Sequence, residues 1–195
     1  HIGVKTIDPE AENKLRALEA AGHPVIRRIL HDTLDLGEEF YIWEIAVAMI
    51  GKCLGINPFD QPNVQESKDN TVRLLGEFKQ NGSLTQQAVA CEGKGLTVRA
   101  DESTIAEIGS GLSVDAFIGA HLKRAGAGDY VAMLDYVQES DAHEALIQAI
   151  RTHLRNSLRV ATTTGYGPRF LHSTGQLHKG GDASGVFMQI TADDV

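Results

Sequence analysis

The sequence predicts an α/β fold with parallel strands, and two spacings carry that prediction. A capped helix from Pro9 is followed within a few residues by the strand-like run PVIRRIL, Pro24 to Leu30. Further along, the strong strand YVAMLDYV (130–137), a helix opened by Ser140 and a second strand from Arg159 to Tyr166 stand at the distance of a strand–helix–strand crossover. A crossover of that length joins parallel neighbours, with a right-handed connection as the rule. The 195 residues are enough for one domain or two small ones with a real core.

The elements follow in order. Asp8 is read as an N-cap with Pro9 at the first helical position, and Gly22 closes that helix. From Leu36 to Leu54 apolar residues fall on nearly every side of a second helix, which predicts burial on several sides. Glu44 interrupts that helix. It is read as a carboxylate paired with a cation rather than as a catalytic group. Pro58 and Pro62 stop the helix and shape a turn. Asn63 and Glu66 read as a capping box for a third helix, 63 to 80, with Val64, Val72, Leu75 and Phe78 predicted to face inward. Asn81-Gly82 ends it.

Two β runs around Gly93-Lys94-Gly95 predict a hairpin. Ser113 caps a helix predicted to bury Val114, Phe117, Ile118 and Leu122, and the Ala125–Gly128 tetrapeptide breaks it. The helix from Ser140 is predicted to turn Leu146, Ile150 and Leu154 inward, and the run from Ser184 to Thr191 is a further strand. Glycine and small residues become commoner after Gly82, which suggests units 1–82 and 83–195.

Composition narrows the function classes. The formal net charge of −8 and the lack of a basic run argue against nucleic-acid or anionic-membrane partners. The longest apolar region, Phe40 to Leu54, is interrupted by Glu44, Gly51 and Lys52 and is not a membrane span. Two cysteines, Cys53 and Cys91, make no disulfide framework, and a reduced cytoplasmic setting is the simplest reading. A start at His1 without Met suggests a tag remnant or an excised fragment.

Three places could carry chemistry. Lys68 lies four residues after Val64 and four before Val72, on the apolar stripe of the third helix, with Gln61 seven residues earlier on the same side. Such a lysine either points inward toward an anion or snorkels out to pair with Glu44 or Glu66, and the pattern leaves both open. Asp135 stands near the carboxyl end of a strand, where α/β sites gather, or is a solvated residue of the alternation. The glycine-rich stretch Gly165 to Gly185 carries Arg169, His172, His178 and Lys179. It is either an anion-binding cradle built from His172, His178 and Lys179 or a surface loop. It matches no phosphate-loop or dinucleotide motif, and its histidines have no metal-ligand spacing.

The runs LGEEFYIWE and GINPFDQPNVQESK resemble the C-terminal part of glucose-6-phosphate isomerases. Leu36, Gly37 and Glu44 match the first family pattern, and Asn57, Phe59, Asp60, Gln61, Val64 and Lys68 match the second. Asn63 stands where the family has Gly or Ala, and Gln65 where it has Glu. The run TTTGYGPRFLHSTGQLHKGG is similar to the extension of bifunctional transaldolase/glucose-6-phosphate isomerases. The resemblance implies a partial SIS-type, Rossmann-like unit over 1–82 and a small βαβ-containing extension over 83–195. It implies interconversion of glucose 6-phosphate and fructose 6-phosphate through an enediol, with Lys68 aiding ring opening and Gln61 touching substrate near the phosphate. It also implies no metal or organic cofactor and a cytoplasmic protein that is often a homodimer. The family's carbon-centred glutamate base and ring-opening histidine belong to segments that the matched runs do not include, so this chain alone is expected to be inactive. The alternative is a non-catalytic sugar-phosphate-binding module, because SIS folds serve both ends.

Overall fold

A computed structural model describes residues 2–4, 7–60, 62–170 and 172–192, with side chains 2–4, 62–63, 172–174 and 176 left undescribed. The described residues form two units, His1–Asp60 and Gln61–Val195.

In the first unit, β1 (Ile2–Val4) pairs in parallel with β2 (Arg28–Leu30), in the register Ile2↔Arg28. The helix α1 (Pro9–Ala20) makes the crossover. Its start is as predicted: the Asp8 carboxylate accepts the amide of Ala11 at 2.9 Å, and Pro9 follows. Arg27 then ties the approach to β2 onto α1, reaching Glu12 at 3.0 Å and Glu19 at 2.5 and 2.9 Å. The strand is shorter than the apolar run suggested.

The helix α2 (Asp35–Leu54) ends in a left-handed Gly55, and the amide of Ile56 returns to the carbonyl of Gly51 at 3.0 Å. Its predicted burial does not hold. Phe40, Trp43, Met49, Ile50 and Leu54 are all exposed, and only Glu39 and Gly51 are buried. Glu44 is exposed, and no cation pairs with it among the described residues. The buried carboxylate is Glu39, which faces β2 and pairs with Arg28. Five residues on, Glu44 lies about 140° around the helix and faces away.

In the second unit, α3 (Pro62–Asn81) begins one residue before Asn63. Asn63 therefore sits inside the first turn rather than at the cap. The cap position falls on Gln61, outside the described residues. Val72, Leu75 and Phe78 are exposed, against expectation, and Val64 is half-buried. Gly82, at φ +71°, ends the helix.

The hairpin is β3 (Ala88–Gly93) against β4 (Leu96–Ala100). Its two-residue turn is Lys94 (φ 55°) and Gly95 (φ 76°), the left-handed pair that matches strand twist. A short α4 (Glu102–Ile108), absent from the sequence reading, is capped by Asp101, which accepts from the Thr104 amide at 2.9 Å. Ser113 caps α5 (Val114–Leu122) as predicted.

The main sheet is built from β5 (Tyr130–Tyr136), β6 (Ala161–Tyr166) and β7 (Gly185–Thr191), in the order β6-β5-β7 and parallel throughout. Between β5 and β6 runs α6 (Asp141–Leu158), and between β6 and β7 runs α7 (His172–Gly180). The glycine-rich stretch is thus mostly a helix and its two short connections, not one loop.

Side-chain alternation divides the sheet. Val131 and Met133 join Leu122 of α5 and Ile147 and Leu154 of α6 in the core, with Val186, Met188 and Ile190 packed alongside. Ile147 takes the inward place predicted for Leu146, which is 59% exposed against 5% for Ile147. The opposite face carries Tyr130 and Phe187, against which His178 of α7 packs. The chain therefore leaves β5 toward one face and β6 toward the other. This is the α/β class expected, a parallel sheet flanked by helices, as in a partial SIS-type unit. No helix among the described residues is long and apolar enough to cross a membrane.

Candidate functional site

The turn before α3 is built by local bonds. The Asn57 side chain accepts the Phe59 amide at 3.1 Å, and the Asp60 amide donates to the Asn57 carbonyl at 3.2 Å. Pro58 lies on the last turn of α2 so closely that a Cβ on Gly51 would stand 2.5 Å from its ring. Gly51 is therefore a packing requirement. This fixes Asn57–Asp60 in the first unit. Gln61 is outside the described residues.

Lys68 stands in the second turn of α3 and is exposed. The inward reading is not what the chain adopts, because the stripe that carries it is itself exposed. Its neighbours are occupied with one another: Gln65 donates to Asp69 at 2.8 Å, and the Thr71 hydroxyl to the Ser67 carbonyl at 2.9 Å. Glu66 does not pair with Lys68, Glu44 belongs to the other unit, and no ion pair claims Lys68 among the described residues. Helix α3 packs on α7, so the second unit brings the lysine-bearing helix and the helix of the glycine-rich stretch together.

On α7 the three predicted cations part company. The His172 side chain is outside the described residues, and Lys179 is exposed. His178 is half-buried. Its Nδ1 is hydrogen-bonded to the Tyr130 hydroxyl at 2.8 Å, its ring stacks on Tyr130 at 5.6 Å, and Phe187 meets it edge-on at 5.2 Å. Burial pushes the imidazole below its ordinary pKa, so the neutral ring is favoured. His178 thus fastens α7 to the sheet.

A second place was only half legible. Asp135 is fully buried at the carboxyl end of the central strand, so the solvated reading is wrong. Its Oδ2 accepts from the Thr164 hydroxyl at 2.6 Å, while Oδ1 has no partner among the described residues. Burial raises its pKa, and the charge of Glu144 adds to the rise. Tyr166 is Asp135's register partner on β6. Burial, then Glu144, Asp135 and Glu139, push its phenol up as well. Sequence reasoning missed Thr164 and Tyr166, whose only signal is their position on the strand beside Asp135. Among the described residues no group of three or more His, Cys, Asp or Glu is placed to hold a metal.

Comparison with known proteins points one way over a short length. The chain is 50% identical over 42 residues to a glucose-6-phosphate isomerase of Leptospira biflexa, 22% of this chain and 9% of that protein. It is 55% identical over 42 residues to the isomerase of Exiguobacterium sibiricum, again 22% and 9%. It is 40% identical over 58 residues to that of Leptospira interrogans, 29% and 13%. The chain thus matches about a tenth of the length of these relatives. No family profile matches, and no solved structure matches. Part of this chain is similar to glucose-6-phosphate isomerases.

Proposed function

We propose that this chain is part of a glucose-6-phosphate isomerase and carries one side of its active site. The observation that supports this most is the shared segment with curated isomerases, at 40 to 55% identity. In this reading Lys68 helps open the sugar ring and stabilises charge that develops on the enediol, and Gln61 contacts the substrate near its phosphate. An exposed lysine with no ion pair among the described residues suits a half-site, because it is left available for an anion. The carbon-centred base comes from elsewhere in the enzyme. The run from Thr162 to Gly181 supports an origin in a bifunctional transaldolase/isomerase, with units 1–82 and 83–195, in a cytoplasmic enzyme that needs no cofactor and pairs as a homodimer.

The chain as given, assayed for conversion of fructose 6-phosphate to glucose 6-phosphate with a coupling dehydrogenase, is expected to show no turnover. Turnover would place the base within these residues and overturn the fragment reading.

A further inference from the structure

Where α6 hands over to β6, Arg155, Asn156, Arg159 and Val160 line an open cavity of about 540 Å³. That volume falls in the range of small-molecule sites. The cavity lies within the second unit, at the amino end of the main sheet, opposite to the end that carries Asp135. Its base is fixed. Val160 belongs to the core cluster together with Leu154 of α6, so the helix end and the strand entry are anchored on the same core. A site on such a base needs little ordering when it binds.

The charge there is positive and unanswered. Arg155 turns its Nε and Nη2 onto one neutral oxygen, Asn156 Oδ1, both at 3.2 Å. Those are long bonds to an uncharged acceptor, and an oxyanion on the same fork would be held more strongly. The Arg159 side chain makes no hydrogen bond or ion pair among the described residues. From Ala145 to Gly181 the sequence holds no Asp or Glu, in a chain of net charge −8. Glu144, the last acid before that stretch, stands about 22 Å along the helix from Arg159. That is well beyond the roughly 8 Å screening length of physiological salt. Across the sheet Asp129 precedes β5, but its Oδ2 holds the Gly126 amide at 2.8 Å, and neither arginine pairs with it. The helix end itself carries roughly half a negative charge, which two guanidiniums outweigh.

The backbone adds a second sign. Arg159 caps α6 in the left-handed conformation, at φ 60° and ψ 31°. Glycine is the usual residue at such a helix end. Capping alone would be served better by glycine, and strained residues of this kind gather at ligand clamps.

We propose that this cavity binds a small organic phosphate monoester. Arg155 and Arg159 clamp the phosphate, whose charge of about −2 matches theirs. Asn156 is released from Arg155 and hydrogen-bonds the organic group, which lies over Val160. The cavity exceeds what a bare phosphate fills. Its lining offers one apolar side chain, so the organic part is polar and hydroxyl-bearing. Lys68 takes no part, so this site stands or falls apart from the isomerase reading.

The test is amide NMR of the 195-residue chain titrated with glycerol 3-phosphate at constant ionic strength. Saturable shifts are expected at Arg155, Asn156, Arg159 and Val160, with inorganic phosphate binding more weakly and glycerol silent. Arg155→Gln and Arg159→Gly should each weaken binding by roughly tenfold or more, the loss of one charged hydrogen-bonded contact. Glycine suits the left-handed position, so Arg159→Gly should melt no lower than the parent, which separates lost binding from lost folding. Absence of saturable shifts at the cavity, parent-like binding by either variant, or an equal response to inorganic phosphate would overturn the site. Shifts confined to α3 around Lys68 would overturn it as well, and would leave the isomerase reading intact.

Discussion

At the scale of single residues, two carboxylates that look alike in sequence differ in physical state. Asp135 is buried with no counter-charge paired to it among the described residues, and Glu44 is exposed. For Asp135 the folded pKa lies above the unfolded one, so the folded state holds the proton more tightly. Its contribution to stability is therefore fully present below the ordinary carboxylate range and is lost as pH rises through the raised value. Asp135→Asn keeps an acceptor for the Thr164 hydroxyl and carries no charge. Its melting temperature should exceed that of the parent at pH 7, and the gap should close toward pH 4. A variant that melts lower than the parent at pH 7 would show that the ionised carboxylate is satisfied in the fold. At Gly51 a methyl group would meet the Pro58 ring, which has no rotamer to yield. Gly51→Ala should cost about 1–3 kcal/mol in urea unfolding.

At the scale of elements, the sequence was a good guide to helices and strands and a poorer one to which face each buries. Asp8, Ser113 and Ser140 cap the helices they were expected to cap, since a cap is a local bond readable from adjacent residues. The hairpin and the strand–helix–strand unit were legible for the same reason. Faces depend on what packs from a distance. In α6 the pattern put Leu146 inward, but the sheet selects Ile147. Ile147→Ala should therefore cost about 2–5 kcal/mol, whereas Leu146→Ala should stay within about 0.5 kcal/mol, both by urea unfolding. Lys68 was legible as a candidate through its spacing, but not its exposure, because α3's stripe is exposed. Thr164 and Tyr166 were not legible, because strand pairing and not sequence proximity brings them to Asp135.

At the scale of the whole molecule, the exposed apolar rows are the main fact. On α2, Phe40, Trp43, Met49, Ile50 and Leu54 lie open, and on α3 so do Val72, Leu75 and Phe78. Surfaces of this kind mark contacts with other protein. In the isomerase reading they meet the remainder of the enzyme, which fits a chain that matches about a tenth of its relatives' length. Trp43 is the single tryptophan and 49% exposed. Acrylamide should quench its fluorescence readily in the isolated chain, and a shielded Trp43 would contradict the open face.

The most direct measurement is steady-state isomerisation by an enzyme that carries this chain as its C-terminal part, with Lys68→Ala beside the parent. Loss of an acid/base or charge-stabilising group acting in the transition state should lower kcat by roughly 10²-fold or more while KM stays within about threefold. An unchanged kcat would remove Lys68 from the chemistry. A raised KM with kcat intact would make the segment a binding surface rather than part of the catalytic apparatus.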